Sequence, residues 1–263
     1  MDSARRHKTY FLSDLHLGAG YIADRRAHES RVCRFLRSVK DDAKTVYLLG
    51  DVLDYWYEYH SVAPRGYLRF FGALTELADA GTEIVWFTGN HDIWLFDYLR
   101  TEIGLRVVDA PDGGVREEID GTWFFLGHGD GIGRLKPSFR IIRKIFRNRL
   151  CQILYSAIHP RWTVGFAHSW SRHSRKSGLK EHSNEEAFEK GARESVERFA
   201  REYAEAHPEV RYIVIGHHHV LLREPAGPES DCELVVLGDW IDKFSYAVFG
   251  GEKLEIKRFS EDG

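Results

Sequence analysis

Short apolar runs alternate with polar patches along this chain, and the period of the runs changes with position. Tyr10 to Leu12, Thr45 to Leu49 and Glu83 to Phe87 are compact and rich in aromatic or β-branched residues, so each predicts a buried strand. Between the first two, Val32, Phe35, Leu36 and Val39 recur at helical spacing and predict a helix over 28–39. A second helix is predicted over 66–79, with Gly81 closing it as a C-cap. The order βαβαβ demands a parallel sheet with helices on its faces. Farther along, 107–108, 114–119 and 122–126 read as strands, the last two joined by an Asp120-Gly121 hairpin turn. The runs 211–215, 232–237, 245–249 and 252–258 continue in that style, with Gly250-Gly251 turning the chain between the last two. Two sheets packed face to face and flanked by helices are the expected architecture.

The stretch from 134 to 181 has a different pattern. Phe139, Ile142, Ile145, Phe146, Leu150, Ile153 and Leu154 recur every three or four residues, interleaved with Arg140, Arg143, Lys144, Arg147 and Arg149. This predicts a strongly amphipathic basic helix. Pro160 ends it, and a second segment carries Trp162, Val164, Phe166 and Trp170. A further helix over 184–206, opened by a Ser-Asn-Glu-Glu cap signal, returns the chain to the core. The expected division is therefore a core of 1–133 and 182–263 with a helical insert at 134–181.

Composition adds a charge asymmetry. The 263 residues, 43% hydrophobic, suffice for one large domain or a domain with a small appendage. The formal net charge of −3 conceals a block from Gly131 to Lys180 with twelve Lys or Arg and no Asp or Glu. Such a block points to an anionic partner: phosphate groups, nucleic acid or an acidic membrane surface. No apolar run approaches the roughly 20 residues a membrane span requires. The charged start, Met1 to Lys8, predicts no secretory signal. Three scattered cysteines argue against a disulfide framework or a zinc ribbon and suit a reducing cytoplasm.

The chemistry sits at the strand ends. Asp14-Leu15-His16, Gly50-Asp51, Gly89-Asn90-His91-Asp92, Gly127-His128 and Gly216-His217-His218-His219 each follow an apolar run. In open α/β sheets, sites gather at the carboxyl ends of strands, so Asp14, His16, Asp51, Asn90, His128, His217 and His219 can converge. Carboxylate, imidazole and amide donors without thiolate favour manganese, iron or zinc. A carboxylate such as Asp51 can bridge two cations, and the Asn90 amide oxygen is a hard neutral donor. Two cations about 3.5–4 Å apart lower the pKa of a shared water to roughly 7 and neutralise phosphoryl oxygens, a device for cleaving phosphoesters. His91 cannot easily reach the same cation as Asn90. It is expected to lean over a substrate phosphate as imidazolium or proton donor, oriented by Asp54.

In this order, Asp14-x-His16, Gly50-Asp51-x-x-Asp54, Gly89-Asn90-His91-Asp92, Gly127-His128 and Gly216-His217-x-His219 resemble the calcineurin-like metallophosphoesterases over nearly the whole chain. The resemblance implies a four-layer αββα sandwich. It also implies one cation on Asp14, His16, Asp51 and His219, a second on Asp51, Asn90, His128 and His217, and His218 pointing away. Within that family, Ser13 to Leu17, Leu48 to Asp51 with Trp56 close behind, His128-Gly129-Asp130 and Leu237-Gly238-Asp239-Trp240 resemble the UDP-2,3-diacylglucosamine diphosphatases of lipid A synthesis. That subfamily carries a helical insert after His-Gly-Asp and hydrolyses the α-phosphorus of its nucleotide-lipid substrate, usually with manganese.

The narrower resemblance implies an insert with an apolar cleft for two acyl chains and basic groups for the diphosphate. Lys136, Phe139, Arg172, Ser174, Arg175 and Lys176 fall by position near the substrate-contacting stretch. It further implies a cytoplasmic protein peripherally associated with the inner membrane. Two features depart from the well-known members: His91 stands where they carry Arg, and Lys136 and Phe139 stand where they carry an acid and a tyrosine. The alternative is a phosphodiesterase for another nucleotide, nucleic acid or lipid-linked diphosphate. The continuous Ile/Leu/Phe face of the insert exceeds what phosphate contacts require, so nucleic acid is not the expected partner. A non-catalytic scaffold of the same fold would have lost ligands, and none is missing.

Overall fold

The computed structural model describes residues 6–133, 137–160, 162, 165 and 184–260. In chain order, β1 (Lys8–Leu12), α1 (Arg25–Ser38), β2 (Ala43–Leu49), α2 (Leu68–Asp79), β3 (Glu83–Phe87), α3 (Tyr98–Ile103) and β4 (Arg106–Val108) come first. Next are β5 (Val115–Ile119), β6 (Thr122–Leu126), α4 (Pro137–Arg147), α5 (Arg149–Ser156), α6 (Asn184–Gly191) and α7 (Arg193–Ala206). The last are β7 (Val210–Ile215), β8 (Leu221–Pro225), β9 (Glu233–Leu237), β10 (Ser245–Phe249) and β11 (Leu254–Arg258). One sheet has the order β11-β10-β1-β2-β3-β4 and the other β5-β6-β7-β9-β8. Strands β1 to β4 are mutually parallel, as are β6, β7 and β9.

The apolar runs have no polar alternation because both faces of each strand are covered. Phe11, Tyr47, Leu49, Val85 and Phe87 point between the sheets, where they meet Phe124, Leu126, Tyr212, Val214 and Val235. Their neighbours Leu12, Val46, Leu48, Ile84 and Trp86 point outward to α1 and α2. On the other sheet, Phe125, Ile213, Ile215, Leu234 and Val236 pack beneath Val196 and Ala200 of α7. Each side chain so buried contributes about 1.5–3 kcal/mol relative to exposure. The result is the four-layer αββα sandwich expected of the resemblance.

Several boundaries differ from the periodicity. Helix α1 starts at Arg25, because the Asp24 carboxylate accepts the Ala27 N–H at 2.9 Å and caps it. Asn148 adopts an extended conformation and its side chain caps Leu150 and Cys151, so the insert helix is two helices. The apolar period continues across that break, which is why the pattern reads as one. The helix predicted over 184–206 is likewise broken at Ala192, next to the weak helix former Gly191. Phe249 pairs with Leu254, so four residues, not two, connect β10 to β11. Strand β8 was not predicted: it does not alternate and ends in Pro225, which an edge strand tolerates. The six-residue α3 is too short to show a period.

Candidate metal centre

Parallel strands place their carboxyl ends side by side. Asp14 follows β1, Asp51 follows β2, and Asn90 and His91 follow β3; His128 follows β6, and His217 and His219 follow β7. The chain turns sharply there, with positive φ at Asp14 (55°), His16 (43°), Asp51 (51°), His217 (69°) and His219 (55°). Non-glycine residues in this region cost about 1–3 kcal/mol each and persist where the surroundings over-determine them. Here the loops are tied to one another. The His16 N–H donates to the Asp51 carbonyl at 2.9 Å, the Gly216 N–H to the His128 carbonyl at 2.8 Å, and the His217 N–H to Asp14 Oδ2 at 2.7 Å. Gly89 and Gly216 are required by close approach: a Cβ at Gly89 would overlap Asp51, and one at Gly216 would overlap Ser13 and Asp14.

The side chains form three overlapping groups, Asp14/His16/His219, His16/Asp51/His91 and Asp51/His128/His217, with ligand atoms within 4.8 Å of one another in each. Asp51 Oδ2 lies 3.3 Å from His128 Nε2 and 3.7 Å from His16 Nε2. His219 Nε2 is 3.4 Å from Asp14 Oδ1 and 3.3 Å from His16 Nε2. The Asn90 side-chain amide oxygen, Oδ1, is 3.2 Å from His128 Nε2. Asp14 Oδ1 is buried and, among the described residues, accepts no hydrogen bond. A buried carboxylate oxygen that faces imidazole nitrogens but accepts no hydrogen bond is costly unless a cation completes it. The donors therefore fit divalent metal, and their oxygen and nitrogen chemistry fits manganese, iron or zinc alike.

Without metal the charges balance among themselves. Burial raises the Asp51 pKa, but His128 and His91 outweigh it and hold the carboxyl well below its ordinary value. Burial lowers the pKa of His128, yet Asp51 and Asp14 prevail and push it up to about 10. Burial, with His128 and His218 adding to it, drives His217 well below the ordinary imidazole value and keeps its ring neutral.

His91 Nδ1 sits 2.9 Å from the Asp54 carbonyl and 3.6 Å from its carboxylate, which lies equally 3.6 Å from His16 Nδ1. The backbone of Asp54 is thus the nearer partner of His91, and its side chain is shared with His16. His91 Nε2 faces Asp51 at 3.9 Å, with the ring partly open to solvent. His218 turns away and packs on Phe188, ring centroids 5.1 Å apart. Sequence reasoning assigned no role to Asp92. Its buried carboxylate accepts N–H groups from Gly89, Asp51 and Val52 and the Trp86 indole, clamping the loops after β2 and β3 together. The signal for it was its place in the Gly-Asn-His-Asp patch.

Helices α4 and α5 dock beside this centre. Tyr55, Tyr57, Ile93 and Trp94, from the loops after β2 and β3, form a buried box that receives Phe146 and Tyr155. The Trp94 indole donates to the Phe146 carbonyl at 2.9 Å and the Tyr57 hydroxyl to the Gln152 carbonyl at 2.7 Å. Arg143 ion-pairs with buried Asp130, two residues beyond His128, with Nε 3.0 Å from Oδ2 and Nη2 donating to Oδ1 at 3.4 Å. Ile141, Ile145, Leu150, Ile153, Leu154 and Trp162 are exposed, from 46% at Ile145 to 70% at Trp162. A cavity of about 540 Å³ is lined by Arg140, Arg143, Lys144 and Arg147, with Asp112 at its wall. Lys136, Arg172, Ser174, Arg175 and Lys176 lie outside the described residues; Phe139 falls in the first turn of α4.

A family model described as calcineurin-like phosphoesterase matches residues 7–221. Over 264 residues the chain is 41% identical to a UDP-2,3-diacylglucosamine hydrolase of Porphyromonas gingivalis, spanning 97% of this chain and 99% of that one. It is 34% identical over 159 residues to a UDP-2,3-diacylglucosamine hydrolase of Ralstonia nicotianae, spanning 60% and 56%. A third protein of that description, from Shewanella baltica, is 24% identical over 252 residues, spanning 95% and 96%.

Proposed function

The chain belongs to the calcineurin-like phosphoesterases, which are metal-dependent hydrolases, and on that premise we propose that it cleaves the pyrophosphate of UDP-2,3-diacylglucosamine. The products are UMP and 2,3-diacylglucosamine 1-phosphate. The observation that carries the chemistry is the convergence of Asp14, His16, Asp51, His128, His217 and His219 in groups that share Asp51 and His16. The substrate rests on the 41% identity, end to end, with the P. gingivalis hydrolase.

In this reading Asp14, His16, Asp51 and His219 hold one cation and Asp51, Asn90, His128 and His217 the other, most simply manganese, with iron or zinc accepted by the same donors. When bound, the pair supplies water acidified to a pKa of roughly 7 and positive charge for the phosphoryl oxygens. His91, anchored through Nδ1 on Asp54, presents Nε2 to the phosphate and donates a proton or hydrogen bond to charge developing there. The insert supplies specificity. Lys136, Phe139, Arg172, Ser174, Arg175 and Lys176 are its candidate substrate contacts.

The exposed Ile141, Ile145, Leu150, Ile153 and Leu154, together with the basic residues Arg140, Arg143, Lys144 and Arg147 of α4, suit peripheral contact with an anionic inner-membrane surface. No helix among the described residues is long and apolar enough to cross a membrane. His91, where well-known members carry Arg, favours a second reading: another lipid-linked or nucleotide diphosphate.

Phosphorus NMR of manganese-loaded enzyme given UDP-2,3-diacylglucosamine in oxygen-18 water tests the proposal. UMP carrying the label is expected. No turnover, with bis-p-nitrophenyl phosphate still cleaved, would leave a phosphoesterase with a different substrate.

A further inference from the structure

The motif Leu237-Gly238-Asp239-Trp240 has no part in the chemistry so far, yet β9 lies beside β7 and delivers it to the same sheet edge. Gly238 is left-handed (φ 79°), and a Cβ there would overlap Ser245 Oγ. Asp239 is buried, and its Oδ1 accepts the N–H groups of Ile241 (2.9 Å), Asp242 (2.8 Å) and Lys243 (3.2 Å). Three donors on one oxygen fix the plane of the carboxylate. The next residue fixes its place: the Trp240 N–H donates to the Asp14 carbonyl at 3.1 Å, and its ring is buried against Phe35 and Phe259.

The other oxygen is left for an imidazole. Asp239 Oδ2 lies 3.5 Å from His219 Nδ1, while Nε2 of the same ring faces Asp14 Oδ1 and His16 Nε2. A neutral imidazole that ligates through Nε2 carries its proton on Nδ1, and that N–H needs an acceptor. His128 has one in the Leu49 carbonyl at 2.9 Å, and His16 turns Nδ1 toward Asp54. We propose that Asp239 is the positioning residue of His219: it holds the ring with Nε2 toward Asp14 and His16, and so sets the affinity of that site for a divalent cation. The proposal rests on the two-cation reading above.

Asp239→Asn keeps an oxygen for the three backbone N–H groups and removes the charge facing His219, which separates positioning from turn formation. Metal-free wild type and D239N are titrated with Mn²⁺ by calorimetry. D239N is expected to bind one equivalent like the wild type and the other about 10- to 100-fold more weakly, with an unchanged melting temperature before metal is added. Nitrogen-15 NMR of the Zn²⁺-loaded wild type is expected to show His219 ligating through Nε2 and protonated on Nδ1. Two wild-type affinities in D239N, equal weakening of both sites, or a His219 protonated on Nε2 would each overturn the role of Asp239. A wild type that binds no Mn²⁺ would overturn the two-cation reading as well, whereas two tight sites in both proteins would sink Asp239 alone.

Discussion

The strand-end cluster and the helical insert are neighbours built on opposite rules. In the cluster, charged side chains are buried, the backbone of five candidate ligands is left-handed, and each loop is bonded to the next. In α4 and α5, apolar side chains stand in solvent, and the helices are held by an aromatic box and a few hydrogen bonds. The cluster has stability invested in fixing donors; the insert has left apolar surface uncovered. In the proposed reading, that difference separates bond cleavage, which needs fixed charges, from choice of substrate, which needs a surface that something else completes.

The largest expected effect breaks the cluster alone. Asp51→Ala should lower hydrolysis of both the lipid nucleotide and a small chromogenic phosphodiester by about 1000-fold or more, about 4 kcal/mol of barrier. Circular dichroism should still report a folded protein. Near-normal rates on either substrate would remove Asp51 from the chemistry.

Undocking the insert comes next. Trp94→Ala deletes the indole that packs on Phe146 and Tyr155, at a cost of about 3–5 kcal/mol for a buried aromatic. Turnover of the lipid nucleotide should fall at least tenfold further than turnover of the small diester. Equal losses on both would mean that α4 and α5 serve the metal loops and not the substrate.

The mildest test concerns the exposed face. Ile141→Glu with Ile145→Glu should reduce co-sedimentation with anionic phospholipid vesicles by about tenfold, the loss expected when each isoleucine is only partly buried in lipid and contributes well below the roughly 1.5–3 kcal/mol of full burial. Hydrolysis of the small diester should be unchanged. Undiminished vesicle binding would refute the membrane-facing role of this surface.

Much of the architecture was legible in the chain. Runs such as Tyr47-Leu48-Leu49 and Val85-Trp86-Phe87 alternate between two cores, which is why they show no polar face and predict buried parallel strands. Parallel strands with polar patches at their carboxyl ends also predict that the patches meet. The two-helix insert was less legible, because Asn148 interrupts the backbone without interrupting the apolar period. Within α4, Ile142 and Phe146 turn toward the protein while Ile141 and Ile145 face outward. Nothing in their residue types distinguishes them.

Sequence by itself thus determined the layer order, the types of candidate donor and the edge on which they gather, since these follow from local period and chain order. Tertiary structure alone decided the left-handed turns at Asp14 and Asp51, the sharing of Asp54 between His16 and His91, and the places of Asp92 and Asp239 behind the ligand loops. These depend on which acceptor from a distant segment arrives within hydrogen-bonding range, and that is set by packing, not by neighbours in the chain.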